Sequence, residues 1–238
     1  MPTPRFEELL PGLPRHLRKL IGTIEDRADL PIDAARRTGP DPLPMSCDFG
    51  HDRAMILVPD GGPPRGNASV LHELLHLKRY YVDGVPKLVC CDDEREFQNE
   101  QEMRMPALFV DIDNQIEHLY LVPHELARYR GARQYWEQKF GEVLRAPGLL
   151  DDRALIACEF VHRVLGGGVL SDVAEAQIAE RRLGGVLDCF QLAVDESKEA
   201  ATRCLFEAFA PALLTWTCLD YFDLPHEIPL AGAGGPCQ

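Results

Sequence analysis

Two histidines and a glutamate, spaced as His72-Glu73-x-x-His76, are the residues of this chain whose types and spacing best suit chemistry. On a helix with 3.6 residues per turn, side chains four positions apart lie about 6 Å apart along the axis and about 40° apart around it. The two imidazoles can therefore bind one metal ion, and zinc is the usual one. Glu73 projects roughly 100° away from His72, where its carboxylate can reach a water molecule on that metal.

Catalytic zinc usually takes three ligands from the protein, so the two histidines need a third residue from elsewhere in the chain. One solution is a further histidine soon after the motif. Arg79 and Val82 stand where the glycine and the histidine of that longer motif would be. The third ligand must therefore come from a later part of the chain.

The polar stretch from Asp113 to His118 is the best source of this ligand. We predict that Glu117 is the third ligand. Asp113, one turn earlier, is expected to hold a histidine ligand by its other ring nitrogen. His118 is a competing ligand, Asp113 itself stays open as a ligand, and His124 with Glu125 is a further alternative.

The elements that position these side chains follow from the apolar pattern. Residues 54–58 form a short apolar run between turn formers and predict a buried strand, whose edge is expected to accept an extended peptide. Asn67 is expected to cap the motif helix, which ends near Tyr81 before an Asp-Gly pair. A second strand is predicted within residues 85–91, and two helices separated by prolines within residues 6–24.

The chain from Pro106 onward predicts an almost wholly helical region. Its first helix is expected to end at Pro123, which would open the next one. The later helices are predicted at 124–145, 151–165, 171–193 and 196–222.

The predicted fold is α+β and mostly helical, with a small sheet packed on the HExxH helix and a C-terminal helical region. Residues 1–148 are predicted to form a zincin-like metallopeptidase core with N-terminal helices. Residues 149–230 are predicted to form a helical extension packed on that core, and residues 231–238 a disordered tail.

Composition excludes some classes of function. The net charge of −13 disfavours a broad surface for nucleic acid or anionic membranes. No segment is apolar over the roughly 18 residues that would span a bilayer. Cys158, Cys189, Cys204 and Cys218 lie in apolar, helix-like runs and are expected to be free thiols, and with no signal peptide at the start this favours a cytoplasmic protein.

The motif and the later glutamate resemble those of the gluzincin class of zinc metallopeptidases, in which a second helix donates a glutamate to the metal. Residues 53–125 are also loosely similar to minimal cytoplasmic ImmA/IrrE-type peptidases. The resemblance implies that His72 and His76 bind Zn²⁺, that Glu73 is the general base and that Glu117 completes the site. The chain departs from the gluzincin pattern at Leu121, where an aspartate would follow the glutamate ligand by one turn.

The function expected from these residues is hydrolysis of peptide bonds in a protein or peptide substrate. Glu73 would take a proton from a zinc-activated water and pass it to the leaving amine. Tyr120, His118 or His124 would stabilise the oxyanion.

Two alternatives stay open. One is a hydrolase for a non-peptide amide or ester. The other is a catalytically silent HExxH protein that acts as a regulatory or adaptor subunit.

Overall fold

The computed structural model describes residues 4–37, 44–91, 105–146 and 151–232. The chain divides into two compact units, Met1–Val85 and Pro86–Gln238. Most described residues are helical and two small sheets accompany them, so the predicted α+β, mostly helical class is confirmed. The domain boundary predicted after residue 148 lies outside the described residues, as does most of the tail predicted at 231–238.

The first unit combines helices with one three-stranded sheet. Its helices are α1 (Phe6–Leu9), α2 (Arg15–Ala28) and α3 (Asn67–Tyr81), and its strands are β1 (Ile32–Arg37), β2 (Ser46–Phe49) and β3 (Ala54–Pro59). The predicted separation of the two N-terminal helices is confirmed, because Pro11 and Pro14 fall between α1 and α2. Strand β3 and helix α3 also lie where the sequence predicted them.

Strand β3 is the centre of its sheet. It pairs in parallel with β1, where Ala34 faces Ile56, and antiparallel with β2, where Cys47 faces Ile56. Both edges of β3 are therefore occupied, and the prediction that residues 54–58 present an edge to a peptide is wrong. The strands that occupy those edges were not predicted, because neither has a run of β-branched residues to mark it.

Helix α3 is held by its C-terminal end. The Tyr81 hydroxyl lies 2.8 Å from the carbonyl oxygen of Gly50 and 2.6 Å from that of Arg53, and donates a hydrogen bond to these two oxygens. Both belong to the turn between β2 and β3. Phe49 adds ring contacts to Tyr80 and Tyr81. These contacts confirm that the sheet packs against the motif helix.

The start of α3 differs slightly from the prediction. Gly66 is the N-cap residue and Asn67 is the first helical residue, so the predicted cap is wrong by one position. Gly66 has a φ of 55°, a left-handed conformation that glycine adopts without steric cost. This is the physical reason why glycine takes the capping position here.

The second unit is helix-rich and contains the other sheet. Its elements are β4 (Lys87–Cys90), α4 (Met105–Arg128), α5 (Ala132–Arg145), α6 (Asp151–Glu159), a π-helix (Phe160–Val164), α7 (Ser171–Glu180), α8 (Gly184–Glu196), α9 (Lys198–Phe209), a 3₁₀-helix (Pro211–Thr215), β5 (Thr217–Asp220), β6 (Ile228–Pro229) and a short 3₁₀-helix (Leu230–Gly232). The strand order is β4-β5-β6, and both pairs are antiparallel.

Three predicted helix boundaries in this unit are wrong. Helix α4 continues through Pro123 to Arg128, and the exposed proline only removes one backbone donor inside it. The helix predicted at 171–193 is two helices, because Arg182 adopts a φ of 58° between α7 and α8. The helix predicted at 196–222 ends at Phe209, and Thr217–Asp220 is a strand paired with β4.

A disulfide joins Cys91, just after β4, to Cys218 on β5. The expectation that Cys218 is a free thiol is therefore wrong, and 127 residues of separation hide this pairing from any local pattern. Because disulfides persist mainly in oxidising compartments, this pair removes part of the basis for the predicted cytoplasmic location. Within the described ranges, no helix combines the length and the apolar character needed to cross a membrane.

Candidate metal centre

His72 and His76 lie on one face of α3 as their spacing predicts. Their ring centroids are 5.0 Å apart, and a ring nitrogen of each lies within 4.8 Å of one on the other. Two nitrogens bound to one tetrahedral zinc ion at its usual bond lengths are about 3.3 Å apart. The upper limit on the nitrogen separation is therefore only about 1.5 Å above the spacing that one zinc ion needs.

The motif side chains are buried although they are polar. His72 is 8%, Glu73 6% and His76 9% exposed, and each has apolar neighbours in sequence such as Leu71, Leu74, Leu75 and Leu77. A carboxylate in such a setting is costly unless donors or a cation stand against it. Neutral imidazole is also the form that binds a metal. The chemistry of the donor set therefore suits a divalent cation with a carboxylate beside it.

A second buried polar group lies in the second unit, around Lys198. Its ammonium nitrogen is 2.6 Å from Asp113 Oδ1, 2.7 Å from Glu117 Oε1 and 2.7 Å from the carbonyl oxygen of Pro86. Ser197 caps α9 by accepting from the backbone of Ala200, which fixes Lys198 at the first position of the helix. The three ammonium protons therefore have three oxygen acceptors. We call Lys198, Asp113 and Glu117 the lysine cluster.

Charge compensation sets the protonation of this cluster. Burial alone lowers the pKa of Lys198, but the charges and hydrogen bonds of Asp113 and Glu117 outweigh it and raise that pKa. The pKa of Asp113 is raised, because burial and the neighbouring charge of Glu117 outweigh the opposite effects of Lys198 and the backbone N–H of Leu88. The cluster is best described as a lysine cation held by two carboxylates.

The lysine cluster contains two residues that the sequence assigned to the metal site. Asp113 Oδ1 accepts from Lys198 and, at 3.1 Å, from the backbone N–H of Leu88, and its expected role in holding a histidine ligand stays a prediction. Glu117 is 5% exposed and forms the salt bridge to Lys198. Its assignment as a metal ligand stays a prediction.

The remaining candidates differ in their surroundings. His118 is 6% exposed and its ring contacts Trp136 with centroids 4.9 Å apart. The Tyr120 hydroxyl donates to the carbonyl oxygen of Val194 at 2.9 Å, a bond that fastens α4 to α8. To serve as an oxyanion donor, Tyr120 would have to leave that bond. His124 is exposed on α4.

Lys198 is the residue that sequence reasoning missed. It stands between Ser197 and Glu199 at the start of a helix, a context typical of a solvated lysine, yet it is 4% exposed. One signal did exist. Asp113 and Glu117 are spaced by four, and two carboxylates side by side on a largely apolar helix face need a cation. The spacing of the two carboxylates indicates that a cation is needed, but it does not identify Lys198 as that cation.

No protein-family model, curated protein or solved structure matches this chain. The case for a function therefore rests on the residues and their geometry.

Proposed function

We propose that this protein is a zinc-dependent hydrolase of peptide bonds, with His72 and His76 as metal ligands and Glu73 as the general base. The observation that carries the proposal is the buried pair of imidazoles on α3, 5.0 Å apart between ring centroids, with a buried carboxylate between them in sequence. Two imidazoles and an adjacent carboxylate in an apolar helix are the ligands and the base that metal-assisted hydrolysis requires.

For the third ligand, the proposal favours His118 over Glu117. His118 would add a third imidazole to those of His72 and His76. Three histidines form one of the usual ligand sets of catalytic zinc, which leaves a position for water. Glu117 already has one carboxylate oxygen on the buried ammonium of Lys198, so it is part of another charged group.

The residues of this chain then have distinct tasks. A zinc ion supplies Lewis acidity, which acidifies water and polarises a carbonyl group. Glu73 accepts the proton that the attacking water loses and delivers it to the nitrogen of the leaving amine. The burial of Glu73 strengthens its electrostatic interactions, because little bulk water screens them.

Metal content and hydrolysis of a fluorogenic peptide mixture test the proposal on the purified full chain. The wild type is expected to contain about one zinc per chain. His72→Ala and His76→Ala are expected to lose the metal and the activity together. Glu73→Gln is expected to keep the metal and lose hydrolysis, since it removes the base and no ligand. A wild-type protein that neither carries zinc nor binds it when added would refute the proposal.

A second comparison identifies the third ligand. His118→Ala is expected to weaken zinc binding at least a hundredfold, whereas Glu117→Gln and the exposed control His124→Ala are expected to bind zinc as the wild type does. Loss of zinc in Glu117→Gln with retention in His118→Ala would restore the ligand predicted from sequence. If zinc is bound but no peptide is cleaved, amide and ester substrates are tested next.

A further inference from the structure

A cleft in the second unit, independent of the histidine pair, has the size of a ligand site. Its volume is about 600 Å³, and its walls come from the end of α6, the π-helix, α7 and α8. Ligand sites in proteins usually measure about 300–1,000 Å³. Ile178, Ala179 and Leu187 line it with apolar surface, and Gly184 leaves part of one wall without a side chain. The cleft is open to solvent on one side and offers apolar surface against which an apolar group can lie.

Two polar side chains at this cleft form no hydrogen bond or ion pair with the residues that the structure describes. They are those of Arg182 and Gln191. Neighbouring arginines differ in this respect: Arg181 binds Asp151 and Gln177, and Arg163 binds Asp195. The cleft thus offers one uncompensated cation and one amide to a ligand.

The backbone around Arg182 is shaped to hold it there. Its φ of 58° is a left-handed conformation that a non-glycine residue adopts only at a steric cost. The turn is closed by hydrogen bonds from the backbone N–H of Arg182 to Ala179 and from that of Leu183 to Ile178. His162 also lines the cleft and belongs to the π-helix, a deviation from α-helix that is frequent at functional sites.

The other ionisable groups of the cleft do not compete with Arg182 for a ligand. Glu175 faces His162, with 3.7 Å between its carboxylate oxygen and the ring nitrogen. Cys158 is 1% exposed, and burial raises the pKa of its thiol to about 11, which keeps it protonated and unreactive at neutral pH. The cleft therefore has the features of a binding site and lacks an activated nucleophile.

We propose that this cleft binds a small monocarboxylate with an apolar chain, whose carboxylate pairs with Arg182 and whose chain lies against Ile178, Ala179 and Leu187. Arginine binds carboxylates through its planar fork of N–H donors. Gln191 can donate a further hydrogen bond to the same group. This site is separate from the proposed hydrolase chemistry and does not depend on it.

Isothermal titration of the full chain with dodecanoate, below its micellar concentration, tests the proposal. Dodecanoate is expected to bind with one site per chain, and dodecan-1-ol, which has the same chain without the charge, about tenfold more weakly. Arg182→Gln is expected to remove this preference and to weaken dodecanoate binding about tenfold. Absence of binding to the wild type, or equal binding of the acid and the alcohol, would overturn the proposal.

A pair of glycine variants tests where the ligand lies. A side chain at Gly184 or at Gly185 would meet no other atom within 4 Å of its Cβ, but only Gly184 lines the cleft. Gly184→Trp is therefore expected to abolish binding by filling the cleft, while Gly185→Trp binds as the wild type does. Circular dichroism checks that both variants fold. Binding that survives Gly184→Trp would show that the ligand lies elsewhere.

Discussion

The two units bury polar groups in opposite ways. In the first, His72, Glu73 and His76 lie within five positions of one helix, so the helix geometry alone brings the imidazoles together. In the second, Lys198 binds carboxylates on α4 and a carbonyl oxygen 112 residues away in sequence. The first group consists of residues that suit an added cation, whereas the second already contains its cation.

The lysine cluster and the histidine pair therefore have different roles, one in stability and one in chemistry. The ammonium of Lys198 has three acceptors and stands against two carboxylates, an arrangement that holds β4, α4 and α9 together. The histidine pair presents ring nitrogens that a metal ion can share. Substitutions should therefore affect stability in the lysine cluster and chemistry at the histidine pair.

The largest expected effect is on hydrolysis. Glu73→Gln should lower the rate about 10²–10⁴-fold, the usual contribution of a general base, while the free energy of unfolding changes little because the two side chains have the same size. Initial rates with a fluorogenic peptide and urea unfolding measure the two quantities. A variant that retains the wild-type rate would show that Glu73 is not the base.

Lys198→Met should lower the free energy of unfolding by about 3–5 kcal/mol, because it leaves the buried carboxylate of Glu117 and the half-buried one of Asp113 without their cation. Urea unfolding measures the change. The exposed Lys139→Met is the control and should stay within about 0.5 kcal/mol of the wild type. Adding Asp113→Asn and Glu117→Gln to Lys198→Met should recover part of the loss, since no buried charge then remains in the cluster. A triple variant less stable than Lys198→Met would contradict this account.

The disulfide is the other long-range connection of the second unit. Cys91→Ser should cost about 2–4 kcal/mol of stability, because it releases a loop of more than a hundred residues in the unfolded chain. Cys189→Ser, at an exposed free cysteine, is the matched control and should have little effect. Wild-type protein treated with reductant should unfold at the denaturant concentration of Cys91→Ser. Insensitivity to reductant would mean that the pair does not form.

The smallest expected effect concerns thiol reactivity. With a pKa of about 11, the thiol of Cys158 should be ionised in about one molecule in a thousand at pH 8. Cys158 is also buried, whereas Cys189 is exposed to the reagent. Iodoacetamide followed by mass spectrometry should therefore label Cys189 first and Cys158 only after unfolding. Rapid labelling of Cys158 in the folded protein would show that the second unit opens around α6.

The local sequence pattern was enough to predict helices whose ends and apolar faces depend on residues near one another in the chain. The separation of α1 from α2 follows from Pro11 and Pro14, and α3 follows from its apolar run. The pattern failed at Pro123, where α4 continues, and at Thr217–Asp220, where an apolar run that suits a helix or a strand becomes a strand by pairing with β4.

By itself, the sequence determined the histidine pair, because the spacing of His72 and His76 and the pitch of a helix set their separation within a few ångströms. Only the tertiary structure decided what faces Asp113 and Glu117, which cysteine pairs with Cys218 and which arginine is left at the cleft. Those outcomes depend on contacts between residues far apart in the chain, and a periodicity that spans one or two turns carries no information about them.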